Sequence, residues 1–240
     1  MEIQNGFIVG VFNYCDRWCE TCAFTSRCRL FADVAEVEAK LDPNLKAVAE
    51  APLVPRDQPP PLPSWLQDLI DEMNVASQSI SDAELKILDK LLPEHEPILA
   101  RSLAYRENVR TWLRERGHHS IHDITSPLAV IAWFHTMIHS KVFRAVHGVA
   151  NDDAELRDWP ADYDGSAKVA LVGIDRSHIA WLQAVERGIA RADTVDTFLS
   201  DLVWLGEALE HEFPNARAFV RPAFDEPDEV AKLLASETSP

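Results

Sequence analysis

The chain has 240 residues, of which 47% are hydrophobic, and its formal net charge is -16. This size and hydrophobicity allow one substantial core, with or without a small appendage. A nucleic-acid-binding protein needs a basic stripe to neutralise phosphates, and the sequence has none, so we expect no nucleic-acid partner.

The amino terminus, "MEIQNGFIVGVFNYC", has neither the basic leader nor the small-residue cleavage site of a signal peptide. No apolar stretch reaches the roughly 20 residues that cross a bilayer. The sequence therefore predicts a cytoplasmic protein with no membrane partner. In a reducing compartment, clustered cysteines indicate a metal site or redox chemistry before structural disulfides.

Residues 1–50 form the first predicted part, a four-cysteine metal-binding segment. Within it, "GFIVGVF" predicts short strands or a buried apolar arm. Apolar residues after the cysteines have the spacing of a helix: Leu30, Phe31, Val34, Val37 and Leu41. Residues 51–63 contain six prolines, which exclude a helix interior and a central strand, so we expect a proline-rich linker or extended strap there.

Residues 64–220 have the pattern of one helix after another. Capping boxes predict helices that begin near Ser64 and Ser81. Further helices are predicted up to a stop at Gly117 and over 127–149, 166–192 and 194–213. Residues 221–240 read as an acidic tail in solvent or on the surface. The fold class that follows is all-α, a helical bundle with a small N-terminal cysteine-rich metal-binding segment.

All the cysteines lie in "CDRWCETCAFTSRC", as Cys15, Cys19, Cys22 and Cys28. Thiolates are ligands for soft metals, and tight clustering brings several of them to one point. A [4Fe–4S] cluster is the first hypothesis, because spacings of four and three spread three cysteines along one helical face. That spread, and the lack of glycine in the segment, disfavour a zinc knuckle, although zinc stays an alternative. The remaining alternatives are that the cysteines are free thiols or that they form disulfides.

The aromatic and basic residues near the cysteines are consistent with the iron–sulfur hypothesis. The aromatic residues Phe12, Tyr14, Trp18 and Phe24 are expected to exclude water from it and to tune its potential. Arg17, Arg27 and Arg29 are expected to offset the negative charge of the thiolates.

The C-x3-C-x2-C spacing resembles the cluster motif of radical SAM enzymes, and C-x2-C-x5-C is similar to motifs of their auxiliary-cluster domains. The resemblance covers residues 15–28 alone. The strand–helix alternation and the glycine-rich cofactor segment of those enzymes are missing, and a fourth cysteine would close the open iron site. We therefore exclude radical SAM chemistry and retain the implication that this spacing suits a [4Fe–4S] cluster.

A second candidate site lies in the predicted bundle. His135 and His139 stand one turn apart, and Asp175 and His178 have the carboxylate–histidine spacing of di-metal bundles. Polar groups on two apolar helix faces require partners, so the four residues predict a buried hydrogen-bond network, joined by Arg106, or a metal or catalytic pocket. Glu207, Glu210 and His211 could add ligands.

Three functions follow as hypotheses. The first is an iron–sulfur protein with a redox role, in electron transfer or sensing, that works with a redox or protein partner. The second is a metal-dependent enzyme with its His/Asp site inside the bundle and a structural cysteine site. The third is a protein-interaction module held together by zinc.

Overall fold

The computed structural model describes residues 1–40, 67, 71, 92–117, 125–150 and 162–237. The chain divides into two compact units, Phe31–Lys90 and a larger one built from Met1–Leu30 with Leu91–Pro240. The cysteine segment therefore belongs to the same unit as the bundle. The sequence predicts residues 1–50 as a separate part of the chain. The predicted proline strap and the helices expected after Ser64 and Ser81 lie outside the described residues, apart from 67 and 71, which are helical.

The described part of the chain is mainly helical, as predicted. The elements are β1 (Ile3–Gln4), β2 (Phe7–Ile8), α1 (Arg29–Lys40), α2 (Glu96–Glu115), α3 (Pro127–Ala150), α4 (Asp162–Glu186), α5 (Ala192–Glu212) and α6 (Pro227–Glu237). The two short strands pair antiparallel as a hairpin. None of these helices is long and apolar enough to cross a membrane.

Helices α2 to α5 pack as neighbours in a closed cycle, α2 on α3, α3 on α4, α4 on α5 and α5 on α2. Helix α3 buries an apolar stripe at helical spacing, as Ile131, Phe134, Ile138, Val142 and Val146 are all fully inaccessible. These residues meet apolar side chains from the other three helices, which makes one continuous bundle core.

Trp181 occupies the centre of that core. Its ring stacks on Phe198 at 4.7 Å between centroids and meets the edge of Trp112 at 5.0 Å. Its indole N–H donates to the Tyr105 hydroxyl at 3.1 Å. Burial raises the pKa of Tyr105 well above its usual range, so this hydroxyl stays protonated and serves as a hydrogen-bonding group.

The ends of the helices differ from prediction by a few residues. Helix α4 begins at Asp162, four residues earlier than expected, and ends at Glu186 rather than near Ala192. Gly188 explains the early end, because its φ of +69° is a left-handed conformation that stops a helix and that glycine adopts without strain. Helix α3 covers the predicted span, and α2 ends just before Gly117.

The segment after residue 220 is not simply a solvated tail. Ala223 is buried with Ile8 and Val11 in a small second core, and Phe24 meets Phe224 edge to face at 5.1 Å. Helix α6 then continues the chain. The two ends of the larger unit therefore pack together around the cysteine segment.

Candidate metal centre

The cysteine loop, residues 15–28, is not an α-helix, in contrast to the helical arrangement considered from its spacing. It contains two single 3₁₀ turns, Cys19–Thr21 and Thr25–Arg27. The Cys22 amide donates to the Cys19 carbonyl at 3.2 Å, so these two cysteines lie at the ends of one tight turn. Three thiols are therefore not spread along a helical face, and that argument against zinc does not hold.

The backbone of the loop takes a left-handed conformation at Arg17. The φ of Arg17 is +58°, in the left-handed region where glycine is the usual residue. A compact knuckle was disfavoured because the segment has no glycine. Arg17 takes the left-handed conformation for which glycine is usual, so the lack of glycine is no argument against a compact turn here.

Helices α3 and α4 anchor the first half of the loop. The Trp133 indole N–H donates to the Asp16 carbonyl oxygen at 2.7 Å, and the Asp16 carboxylate pairs with Arg176 at 2.7 Å. Trp18 stacks on Trp133 at 5.5 Å between centroids and is almost fully buried. Upstream, the buried Lys141 ammonium donates to the Asn13 carbonyl at 2.9 Å. The bundle thus holds the backbone on both sides of Cys15.

The four cysteines are free thiols, and only Cys15 is buried. Burial raises the pKa of the Cys19 thiol, and the nearby Cys15, Cys22 and Cys28 raise it further. Burial also raises the pKa of Cys22, although a hydrogen bond from the Phe24 amide to its sulfur, at 3.4 Å, opposes that effect. The thiols therefore lie within electrostatic range of one another, and a cation would favour their thiolate forms.

In the ranges that the structure describes, no three or more His, Cys, Asp or Glu side chains are arranged to hold a metal ion. The cysteines share one loop, but their sulfurs do not converge in this conformation. Binding of a metal centre would require the turns to close, which side-chain rotation at the half-buried Cys19 and Cys22 would assist.

The aromatic and basic neighbours are arranged differently from the expectation. Trp18 is buried beside the cysteines, whereas Tyr14 packs on Phe219 at 4.7 Å and Phe24 packs on Phe224. Phe12 lines a separate apolar groove of about 980 Å³ near the hairpin. Tyr14 and Phe24 therefore pack against the C-terminal segment rather than around the sulfurs.

Two of the three arginines contact the hairpin. Arg27 donates to the Gly6 carbonyl at 3.1 Å, and the Arg29 guanidinium lies over the Phe7 ring. Arg17 is exposed within the loop itself. The contacts of Arg27 and Arg29 therefore run to the hairpin rather than to the sulfurs.

His135 and His139 do not form the predicted network with Asp175 and His178. The Ser102 hydroxyl donates to the Leu99 carbonyl at 2.8 Å, so its contact with His139 Nδ1 at 2.9 Å requires the imidazole to be the donor. His135 Nδ1 donates to the Ala132 carbonyl at 2.7 Å. Burial lowers the pKa of both imidazoles, which favours their neutral, hydrogen-bonding forms.

Asp175 and His178 lie in a different place, a shallow depression of about 210 Å³ that Glu207 and Glu210 also line. Asp175 is 52% exposed, so it is not part of a buried network. The guanidinium of Arg217 binds Asp175 with two nitrogens and Glu210 with a third, at 2.8 Å. An arginine therefore balances these carboxylates, and the arrangement does not favour the metal-dependent enzyme.

Arg106, the remaining member of the predicted network, donates to the adjacent Glu107 on α2 at 2.7 Å. The four-residue prediction failed because residues on different helices need not face one another. His135 and His139 interact with groups on α2, whereas Asp175 and His178 lie with residues of α5.

One groove beside the cysteine loop was not predicted. It has a volume of about 550 Å³ and is formed by one face of α3 and by Arg17. Lys141 and Arg144 also line it. Thr136, Ser140 and Arg144 recur every four residues, so the sequence places them on one face of α3. That face forms a groove only because Arg17 lies beside it, which the sequence does not show.

Comparison of the chain with protein-family models, with curated proteins and with solved structures finds no match in any of the three.

Proposed function

We propose that Cys15, Cys19, Cys22 and Cys28 bind a metal centre, that this centre is a [4Fe–4S] cluster, and that the protein has a redox role in electron transfer or sensing. The observation that carries the proposal is that all four cysteines are free thiols on one short loop that the bundle anchors. Thiolates crowded in this way repel one another, and a soft metal centre removes that repulsion.

The cysteine spacing and the surroundings of the sulfurs support an iron–sulfur cluster. The segment between Cys22 and Cys28 contains a separate 3₁₀ turn, so Cys28 stands apart from the Cys19–Cys22 turn, as a fourth ligand of a wider cluster would. The Phe24 amide donates to the Cys22 sulfur, and such N–H···S bonds are a means by which proteins set cluster potentials. The buried Trp18 ring limits the access of water on one side.

A sensing role has support from the way in which the loop is attached. Asp16, next to Cys15, accepts from Trp133 on α3 and pairs with Arg176 on α4. A change in charge or shape at the loop would thus act directly on two helices of the bundle. The redox or protein partner that such a role requires would act in a reducing compartment, where free thiols persist.

A structural zinc site is the second candidate. The tight Cys19–Cys22 turn and the left-handed Arg17 favour it, because zinc knuckles need short turns that bring sulfurs to about 2.3 Å from one ion. In that case the loop would be a fixed support for protein–protein contacts, without redox activity.

The deciding experiment is purification without oxygen, followed by a visible spectrum and by iron, zinc and sulfide analysis of the same sample. We expect a broad absorption band and about four iron and four sulfide per chain. A colourless protein with one zinc per chain would contradict the cluster and support the zinc site.

Cys19→Ser and Cys22→Ser should each lose the metal, whereas Ser26→Ala, an exposed change in the same loop, should retain it. A protein that holds neither iron nor zinc, or metal content that is the same in all three variants, would contradict the metal centre itself.

A further inference from the structure

Cys19 and Cys22 stand at the two ends of the first 3₁₀ turn of the cysteine loop. The Cys22 amide donates to the Cys19 carbonyl at 3.2 Å, which closes the turn. Residues three apart in such a turn have Cα atoms within about 7 Å, and a disulfide spans Cα atoms about 4.4 to 6.8 Å apart. The backbone of this turn therefore has the dimensions that a disulfide between its two ends requires.

This turn is also open to solvent. Its central residues, Glu20 and Thr21, are exposed, and Ala23, which follows the turn, is exposed as well. Cys19 and Cys22 are half-buried, so each thiol retains access to solvent. A small reactant in solution can therefore reach both thiols, as thiol–disulfide exchange requires.

Cys15 is also within electrostatic range of Cys19, but its surroundings hold it in place. It is buried, and its Sγ donates to the Phe12 carbonyl at 3.5 Å. The backbone of the next residue, Asp16, is bonded to Trp133 on α3. A disulfide from Cys15 to Cys19 would move a thiol that the bundle fixes, whereas one from Cys22 would not.

Cys28 is separated from the pair by a second turn. The Thr25–Arg27 turn lies between it and Cys22, and the Cys28 amide closes that turn on the Thr25 carbonyl at 3.2 Å. The Cys28 side chain packs against the small second core. Of the four thiols, Cys19 and Cys22 are therefore the two that one turn joins and that neither core holds.

We infer that, when no metal is bound, Cys19 and Cys22 are a redox-active pair that forms a disulfide by exchange with a small disulfide such as oxidised glutathione. One cysteine thiolate attacks a glutathione sulfur, and a mixed disulfide forms as the first glutathione thiolate leaves. The other cysteine thiolate attacks the mixed disulfide and releases the second glutathione. The two protons that the cysteines lose pass to the two glutathione thiols, so the protein loses two electrons and oxidised glutathione gains them.

The inference deepens the proposed function and rests on it in one respect, because the same two sulfurs are among the four proposed metal ligands. Metals bind the thiolate form of cysteine, and a disulfide has no thiolate to offer. Oxidation of Cys19 and Cys22 therefore removes half of the ligand set, and reduction restores it. The cysteine loop would bind its metal centre only in the reduced state.

A tryptic digest identifies the pair. Trypsin cleaves after Arg17 and Arg27, so Cys19 and Cys22 share the peptide Trp18–Arg27, and the other two cysteines fall in different peptides. The full chain is freed of metal with a chelator, reduced, incubated with oxidised glutathione without oxygen, and alkylated before digestion. We expect mass spectrometry to show this peptide without alkylation and lighter by two hydrogen atoms than its reduced form. A peptide alkylated at both cysteines, a lasting glutathione adduct, or a cross-link to another peptide would overturn the inference.

Two serine variants assign the reaction to this turn. Cys22→Ser removes one member of the pair, and Cys28→Ser is the matched control, since it removes a thiol of the same loop outside the pair. Cys28→Ser should still form the disulfide within the peptide. Cys22→Ser should stop at the mixed disulfide, with one glutathione on Cys19. The same product in both variants would overturn the assignment.

Zinc binding separates this inference from the proposed metal site. The reduced, metal-free chain should bind zinc, the oxidised chain should lose that binding, and dithiothreitol should restore it. Equal zinc binding by the two forms would overturn the redox control and leave the metal site standing. A reduced chain that binds no zinc, together with the expected disulfide, would contradict the metal site and support the redox-active pair.

Discussion

The indole N–H of Trp133 donates to the carbonyl oxygen of Asp16 at 2.7 Å, although the two residues are 117 positions apart. This bond joins the cysteine loop to the N-terminal half of α3. Asp16 and Trp18 together place three groups against the bundle, a carbonyl, a carboxylate and an aromatic ring. The conformation of the loop therefore depends on the bundle rather than on the loop alone.

Trp133→Phe should loosen the loop, because phenylalanine retains an aromatic ring but has no N–H to donate. We expect faster tryptic cleavage after the exposed Arg17, measured by limited proteolysis with mass analysis, and a loss of about 1 to 3 kcal/mol in the free energy of unfolding. Trp204→Phe is the control, since that ring lies over Arg101 on another part of the bundle. Equal cleavage after Arg17 in the two variants would contradict the anchoring role.

Gly165→Ala should destabilise the protein although alanine is the better helix former. A Cβ at Gly165 would lie 2.9 Å from the Phe219 ring and closer still to the Tyr14 ring, so both rings would have to move. We expect a loss of about 1 to 3 kcal/mol in urea unfolding.

Gly206→Ala is the matched control, because the nearest side-chain atom to its added Cβ is 3.8 Å away, an ordinary contact. This change should stabilise α5 by up to about 1 kcal/mol. Changes of the same sign in both variants would show that the Tyr14–Phe219 packing does not constrain Gly165.

Tyr105→Phe should leave the Trp181 indole N–H without its acceptor in the middle of the core. An unsatisfied buried donor costs about 1 to 3 kcal/mol, which thermal or urea unfolding measures. Adding Trp181→Phe to this variant removes the donor as well, so the double variant should lose less than the sum of the two single losses. Strict additivity would mean that the hydrogen bond contributes no coupling energy.

Stability should decrease as the pH falls from about 7.5 to 5.5, partly because of His135 and His139. Burial lowers the pKa of each imidazole in the folded state, and the Arg106 guanidinium acts in the same direction while Glu107 opposes it. In this range the unfolded chain binds more protons than the folded one, so protonation favours unfolding. The stability that the two neutral histidines contribute is fully present above the imidazole pKa of the unfolded chain. It is lost as the pH falls through the lower imidazole pKa of the folded protein.

His139→Asn removes one titrating group and retains a donor toward Ser102. Urea unfolding at several pH values should therefore show a flatter decline for this variant than for the unaltered protein over the same range. Parallel declines in the two proteins would contradict the assignment of this pH dependence to His139.

Much of the bundle could be predicted because its signal is local. The buried stripe of α3 follows from the spacing of Ile131, Phe134 and Ile138, and the C-terminal end of α2 follows from Gly117. Each of these features depends on residues within a few turns of one another, where helical periodicity is informative.

The residues of the cysteine site could be predicted from the sequence, but the conformation of the loop that carries them could not. The cysteines are visible in the sequence, whereas the left-handed conformation of Arg17 is not, because that conformation is unusual for arginine. Asp175 pairs with Arg217, which is 42 residues away in the chain. No sequence pattern around Asp175 indicates that partner. Long-range pairs of this kind decide which side chains meet, and helical spacing does not contain them.

The packing of Phe24 on Phe224 and the bond from Trp133 to Asp16 have a consequence for synthesis. The thiols leave the ribosome early, but the aromatic partner of the loop at Phe224 is made 200 residues later. At about 5 to 20 residues per second, this interval is roughly 10 to 40 s, and four unprotected thiols are exposed to oxidants throughout it. Nascent chains of this protein should therefore depend on a reducing environment during translation more than the finished protein does.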